Sequence, residues 1–171
     1  MASLFEIRTP IERELIGGLK IGSRISISGR IYTGRDTALP KLVRIYKEGG
    51  LCSLGIELEG SVVFHTAVSP AGVGPTSSNK AEIEESMPVL AKAGARIHLG
   101  KGALSPATIA ALAEYGSVYA VVPPVTALLE SKITNRSVVA FEEDGMEAVY
   151  MLEVDGFPAI VAAAGGESIY I

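Results

Sequence analysis

Apolar positions alternate with polar ones over the first third of the chain and then gather into short runs, and this change of rhythm predicts the elements. In KIGSRISISGRIYTGRD, residues 20–36, Ile21, Ile25, Ile27 and Ile31 recur largely at period two between Gly22, Gly29 and Gly34, which reads as strand, turn, strand and loop. TALPKLVRIYKEG, 37–49, reads as a short helix with Pro40 in its first turn, where a missing N–H costs least. From residue 61 the pattern becomes strand, loop, helix. SVVFHTAV, 61–68, is an apolar run; the loop GVGPTSSNK, 72–80, follows; then NKAEIEESMPVLAKAGA, 79–95, carries Glu82, Glu84 and Glu85 early and Lys92 late, the charge order a helix dipole favours. Pro88 is expected to kink or split that helix. A second unit comprises ARIHL, the loop GKGAL and SPATIAALAEYG, with Ser105 as N-cap, Pro106 at the first helical position and Gly116 past the end. A third is SVYAVV followed by PPVTALLESKI, and the tail, SVVAFEEDGMEAVYMLEV with FPAIVAAAGG, returns to strands around a glycine turn.

Strand–loop–helix units in series argue for an α/β fold in which 61–68, 95–99 and 117–122 are parallel strands of one sheet, beside additional strands from both ends of the chain. No linker or repeat interrupts residues 1–171, so a single domain is expected.

Composition narrows the classes. Hydrophobic residues make up 48% of the 171, with no Trp and only 4 Phe and 6 Tyr, so the core must be aliphatic. The net charge is −4 and no long Lys/Arg block occurs, which argues against a nucleic-acid partner. The lone Cys52 is expected to be a buried small hydrophobe; it excludes an intrachain disulfide and a self-contained iron–sulfur cluster, which needs about three or four thiolates. The apolar run VYAVVPPVTALL is broken by Pro123-Pro124 and is shorter than the ~20 residues of a membrane span. With no charged-then-apolar leader, the expected location is cytoplasmic, away from membranes.

Candidate chemistry lies in three loops that each carry a cation: TGRD with Arg35 and Asp36, GPTSSNK with Thr76 and Lys80, and LGKG with Lys101. Glycine beside a cation lets backbone approach a ligand, and a helix start adds partial positive charge, so such a set suits a small dianion. Taken singly, each is also a plausible solvated turn residue, and Arg35–Asp36 a local ion pair. Nucleotide motifs fail on detail. GVGPTS has Ser77 where a dinucleotide fingerprint needs its third glycine, and GARIHLGKG has one residue too many for a P-loop, with Gly102 replacing the Ser/Thr. His65 and His98 fall in strands without a carboxylate or second histidine at ligand spacing; a structural, hydrogen-bonded role is expected and no metal site is assigned.

In order and spacing, LKIGSRISISGRIYTGRDTA, GSVVFHTAVSPAGVGPTSSNK, LGKG and DGMEAVYMLEVDGFPAIV resemble the β subunit, or equivalent C-terminal domain, of the class I iron–sulfur fumarate hydratases and L(+)-tartrate dehydratases. The resemblance covers nearly the whole chain and rests on the T-x-R-D-x-A, G-P-T-T-x-x-R, lysine-loop, G-x-E-A and F-P-A segments of that family. It implies a swivelling β/β/α domain that closes over a separate α subunit holding a [4Fe-4S] cluster, in a hetero-oligomer that leaves room for a homodimer of this chain. The implied activity is a hydro-lyase acting on a 2-hydroxy dicarboxylate, malate to fumarate first and tartrate second, with the subunit inactive alone. Arg35, Lys80 and Lys101 fall on substrate-binding positions and Thr76 on the proton-abstracting threonine. A threonine hydroxyl needs neighbouring positive charge to serve as a base. Lys80 stands where the family has arginine, Leu39-Pro40 replace a histidine-containing continuation, and Pro123-Pro124 replace a glycine pair. These departures leave a non-catalytic small-anion binding module as the competing reading.

Overall fold

A computed structural model describes residues 3–74 and 80–170, with only the backbone of residues 80–83. The described elements are β1 Leu4–Arg8, α1 Arg13–Ile16, β2 Arg24–Gly34, α2 Ala38–Lys47, α3 Leu51–Leu54, β3 Val62–His65, α4 Lys80–Lys92, β4 Ile97–Gly100, α5 Pro106–Glu114, β5 Val118–Val121, α6 Thr126–Ser131, β6 Ile133–Ala140, a 3-10 segment Glu142–Glu147, β7 Val149–Ala164 and β8 Glu167–Ser168. This is a mixed α/β fold.

β3, β4 and β5 pair in parallel, as their strand–loop–helix spacing predicts, and the carboxyl half of β2 joins them in parallel beside β3. The long β7 runs antiparallel to β2, β5 and β6. Because β7 touches both β2 and β5, the pairings β2–β3–β4–β5–β7 return to β2. The strands from the two chain ends therefore curl over the inner face of the parallel strands.

Side-chain alternation sorts the residues of each strand between two cores. Val62, Phe64, Ile97, Leu99, Val118 and Ala120 face inward with Ile25, Ile27 and Ile31 of β2 and Leu152, Phe157 and Val161 of β7. Phe64 meets Phe157 edge to face at 5.7 Å. The opposite face, through Val63 and Tyr119, lies under Leu39 and Leu42 of α2, Met87, Leu90 and Ala91 of α4, and Ile109 and Leu112 of α5. Both faces of the parallel strands are dry, which is why they read as unbroken apolar runs rather than alternations.

Three expectations are corrected. β2 passes through Gly29 without a turn: the glycine, at φ 111, makes a bulge, and a Cβ there would strike the Thr9 hydroxyl. That hydroxyl instead accepts from the Arg30 N–H at 2.7 Å, so a side chain supplies the partner the ladder loses. Pro88 does not split α4, which continues through it from Lys80 to Lys92; the Met87, Leu90 and Ala91 contacts around the proline hold a turn that local propensity disfavours. Cys52 is exposed, because the single turn α3 turns Leu51 and Leu54, not the thiol, toward the core under α2.

Candidate functional site

Parallel pairing brings the carboxyl ends of β2, β3 and β4 to one edge. Gly34 is registered with His65, and Phe64 with Leu99, so Gly34, His65 and Gly100 end their strands side by side. The residues that follow are Arg35, Thr66 and Lys101. With strands ~4.8 Å apart, the Arg35 and Lys101 backbones stand roughly 10 Å apart across the loop leaving β3. Edges of this kind are where open α/β sheets bind ligands.

Local sequence explains how each loop is held. The Thr66 hydroxyl donates to the Gly74 carbonyl at 2.5 Å, closing residues 66–74 into a compact turn, and Val68 N–H donates to the Met146 carbonyl at 2.8 Å. Gly72, at φ 115, lies so close to α6 that a Cβ would come within 2.7 Å of the Thr126 methyl. Gly100 rests on the Tyr119 ring, with its would-be Cβ 3.2 Å from the phenol oxygen, and Gly102 adopts φ 81. Lys101 projects between them, exposed. Tyr119 keeps its proton: burial pushes its pKa up, and Tyr170 and Glu84 add to the shift.

Arg35 is not a free cation. Its Nε–H donates to Asp36 Oδ1 at 3.3 Å, and Glu147 Oε1 stands 3.3 Å from the same nitrogen. Glu147 ends the 3-10 segment, which α2 anchors through Lys41 Nζ on the Asp144 carboxylate at 2.7 and 2.9 Å. Lys101 and Arg35 are thus brought to one edge. Thr76 lies outside the described residues, as does the side chain of Lys80, whose backbone opens α4.

The histidines are a pair, which neither strand showed alone. His65 Nε2 and His98 Nδ1 are 3.1 Å apart with the rings stacked at 5.3 Å, both fully buried beneath the loops. Burial lowers the His98 pKa to about 3, and burial followed by the charge of His98 lowers that of His65. The pair is therefore neutral and shares one proton in a hydrogen bond, and among the described residues His65 Nδ1 and His98 Nε2 have no partner. Register supplied this contact: Val63 pairs with His98, so His65 and His98 project from neighbouring strands on one face.

The Fumarase C-terminus family model matches residues 3–171. The chain belongs to this family. It is 33% identical over 167 residues to a Methanocaldococcus jannaschii protein provisionally named L(+)-tartrate dehydratase subunit beta, covering 89% of this chain and 84% of that one. It is 23% identical over 168 residues to the Escherichia coli L(+)-tartrate dehydratase subunit beta, covering 92% and 81% respectively. Against the anaerobic class I fumarate hydratase of E. coli it is 29% identical over 148 residues, 82% of this chain but only 27% of the relative. The family is one of hydro-lyases, and its β-subunit members imply a partner subunit.

With a single cysteine, this fumarase C-terminal domain falls short of the about three or four thiolates that a cluster of its own needs. Its one cysteine is exposed, and among the described residues no three His, Cys, Asp or Glu side chains gather as a metal site. A groove of about 750 Å³ opens at the amino end of β3, away from the cationic loops. It sets Glu57, Glu59, Glu153 and Asp155 against Arg8 and Arg30, the wrong sign for a dianion. Among the described residues no helix is long and apolar enough to cross a membrane.

Proposed function

We propose that the chain is the β subunit of an iron–sulfur hydro-lyase that reversibly dehydrates a 2-hydroxy dicarboxylate, malate to fumarate. The observation that carries this reading is the edge where Arg35, the loop from Thr66 and Lys101 follow adjacent parallel strands. Residues 1–171 act as one swivelling β/β/α domain that closes over a cytoplasmic α subunit, and that partner holds the [4Fe-4S] cluster.

In this reading Arg35, Lys80 and Lys101 hold the substrate carboxylates. Removing the C–H proton beside a carboxylate builds negative charge on that group, and fixed cations are worth most where the charge grows. Thr76 takes the proton, its hydroxyl activated by the cations around it. Gly102, at φ 81, lets the lysine loop turn tightly at the site, while Gly34 and Gly100 let their strand ends pack against Leu39 and Tyr119.

Tartrate is the second reading, and one observation favours it: the relatives that this chain matches over most of both lengths carry tartrate dehydratase names, whereas the fumarate hydratase is far longer. Co-purification with the cluster-bearing partner under anaerobic conditions, followed by assays on L-malate and L(+)-tartrate, tests both. Turnover of either diacid selects its reading. Turnover of neither, with the cluster intact, supports the small-anion module instead.

A further inference from the structure

Glu147 was a motif residue without a role. Its Oε1 is buried and accepts no hydrogen bond from any described residue, although it stands 3.3 Å from Arg35 Nε. The reason is geometric: the single Nε–H is directed at Asp36 Oδ1. A buried carboxylate oxygen with no donor is costly unless charge compensates it. Arg35 is that charge. Two carboxylates thus crowd the Nε edge of one guanidinium, and the formal charges of the trio sum to about −1.

Such a trio cannot attract a dianion by net charge. It can still recognise one by shape, because the Nη1–Nη2 edge makes no hydrogen bond with any described residue. A guanidinium held by one edge offers the other as a fork that matches a carboxylate. The holders are themselves fixed. Asp144 is tied to Lys41 of α2, Met146 to the backbone of Val68, and Gly145 adopts φ 61 to make the kink that precedes Glu147.

We propose that Glu147, with Asp36, is a positioning residue for Arg35: the two carboxylates occupy the Nε edge and so leave the terminal nitrogens to take a substrate carboxylate. Arg35 then acts through the direction of its fork more than through its charge. This rests on the reading of Arg35 as a substrate ligand.

The test is a double-mutant cycle in the enzyme assembled with its partner, assayed on L-malate and L(+)-tartrate. Glu147→Ala is expected to lower kcat/KM about tenfold or more, chiefly by raising KM, as misdirection of a binding group does. Arg35→Lys keeps the charge without the fork and is expected to be nearly as damaging as Arg35→Ala. Adding Glu147→Ala to Arg35→Lys should then cost little more, because the group it directs is already gone. Fully multiplicative losses, or a Glu147→Ala enzyme within about twofold of wild type, overturn the proposal. Glu147→Gln, which preserves volume, guards against a folding defect in the alanine variant.

A second readout uses the isolated chain and needs no turnover. The Arg35 15Nε–H resonance should be shifted from its solvent-averaged position in the wild type, move part of the way back in Glu147→Ala, where Asp36 alone holds that edge, and return fully when Asp36→Ala is added; a resonance that Glu147→Ala leaves unchanged refutes the positioning role. If Arg35→Ala leaves turnover of both diacids intact, the proposed function fails, while the Nε resonance still decides the positioning.

Discussion

At His65 and His98 burial decides the chemistry. In the folded chain both imidazoles stay neutral well below pH 6.5, His98 down to about 3, whereas in the unfolded chain they take up protons as the pH falls through the ordinary histidine range. The unfolded state then binds more protons, so stability rises with pH through this window, is complete above about 6.5 and is lost as pH falls toward 3. Each histidine contributes a slope of up to ~1.4 kcal/mol per pH unit. His98→Gln should flatten the slope, and urea denaturation at pH 7 and pH 5 measures it. An equal loss of stability in wild type and variant would show that the pair titrates normally.

The cationic residues make their predictions at the same scale. In the assembled enzyme Arg35→Ala should cost about 2–5 kcal/mol of transition-state stabilisation by leaving a carboxylate unpaired, read as a fall in kcat/KM. Lys80→Arg should preserve or raise turnover if the position binds a carboxylate, since it exchanges a point charge for a fork. A lysine with a purely structural role would show no preference, and steady-state kinetics on both diacids separates the two.

Among the elements, α5 is the one most fully written in its own residues. Ser105 accepts from the Thr108 N–H at 3.3 Å, Pro106 opens the helix, and Gly116 at φ 69 follows its end. Ser105→Ala should destabilise the chain by about 1 kcal/mol. Ser131→Ala removes only an exposed hydroxyl bond to the Leu128 carbonyl, and should stay within about 0.5 kcal/mol. Equal losses in denaturant melts would contradict the capping role. α4 and β2 teach the opposite lesson. Pro88 and Gly29 are local signals for a break and a turn, and each is overridden by contacts from elsewhere: the Met87 and Leu90 packing for one, the Thr9 hydroxyl for the other.

For the whole molecule, the proposed function requires a candidate site that is one-sided until a partner closes it. The cationic loops end a sheet edge, and among the described residues no three His, Cys, Asp or Glu side chains gather to hold a cluster. The isolated chain should therefore melt cooperatively yet show no hydratase activity, and should gain activity on either diacid only with its partner. Turnover by the purified, iron-free chain alone would sink the proposed function.

The sequence by itself determined the parallel units, the α5 caps, the aliphatic core and the family, because these depend on periodicity, propensity and motif order along neighbouring residues. It also marked Arg35 and Lys101 as loop cations. Only the tertiary structure decided that those two follow strands flanking β3 at one sheet edge, that His65 meets His98, that Glu147 reaches Arg35, and that Cys52 faces solvent. The physical reason is register. Which strand lies beside which, and at what offset, is set by how the whole core closes, so contacts between residues far apart in the chain leave no mark in the local pattern.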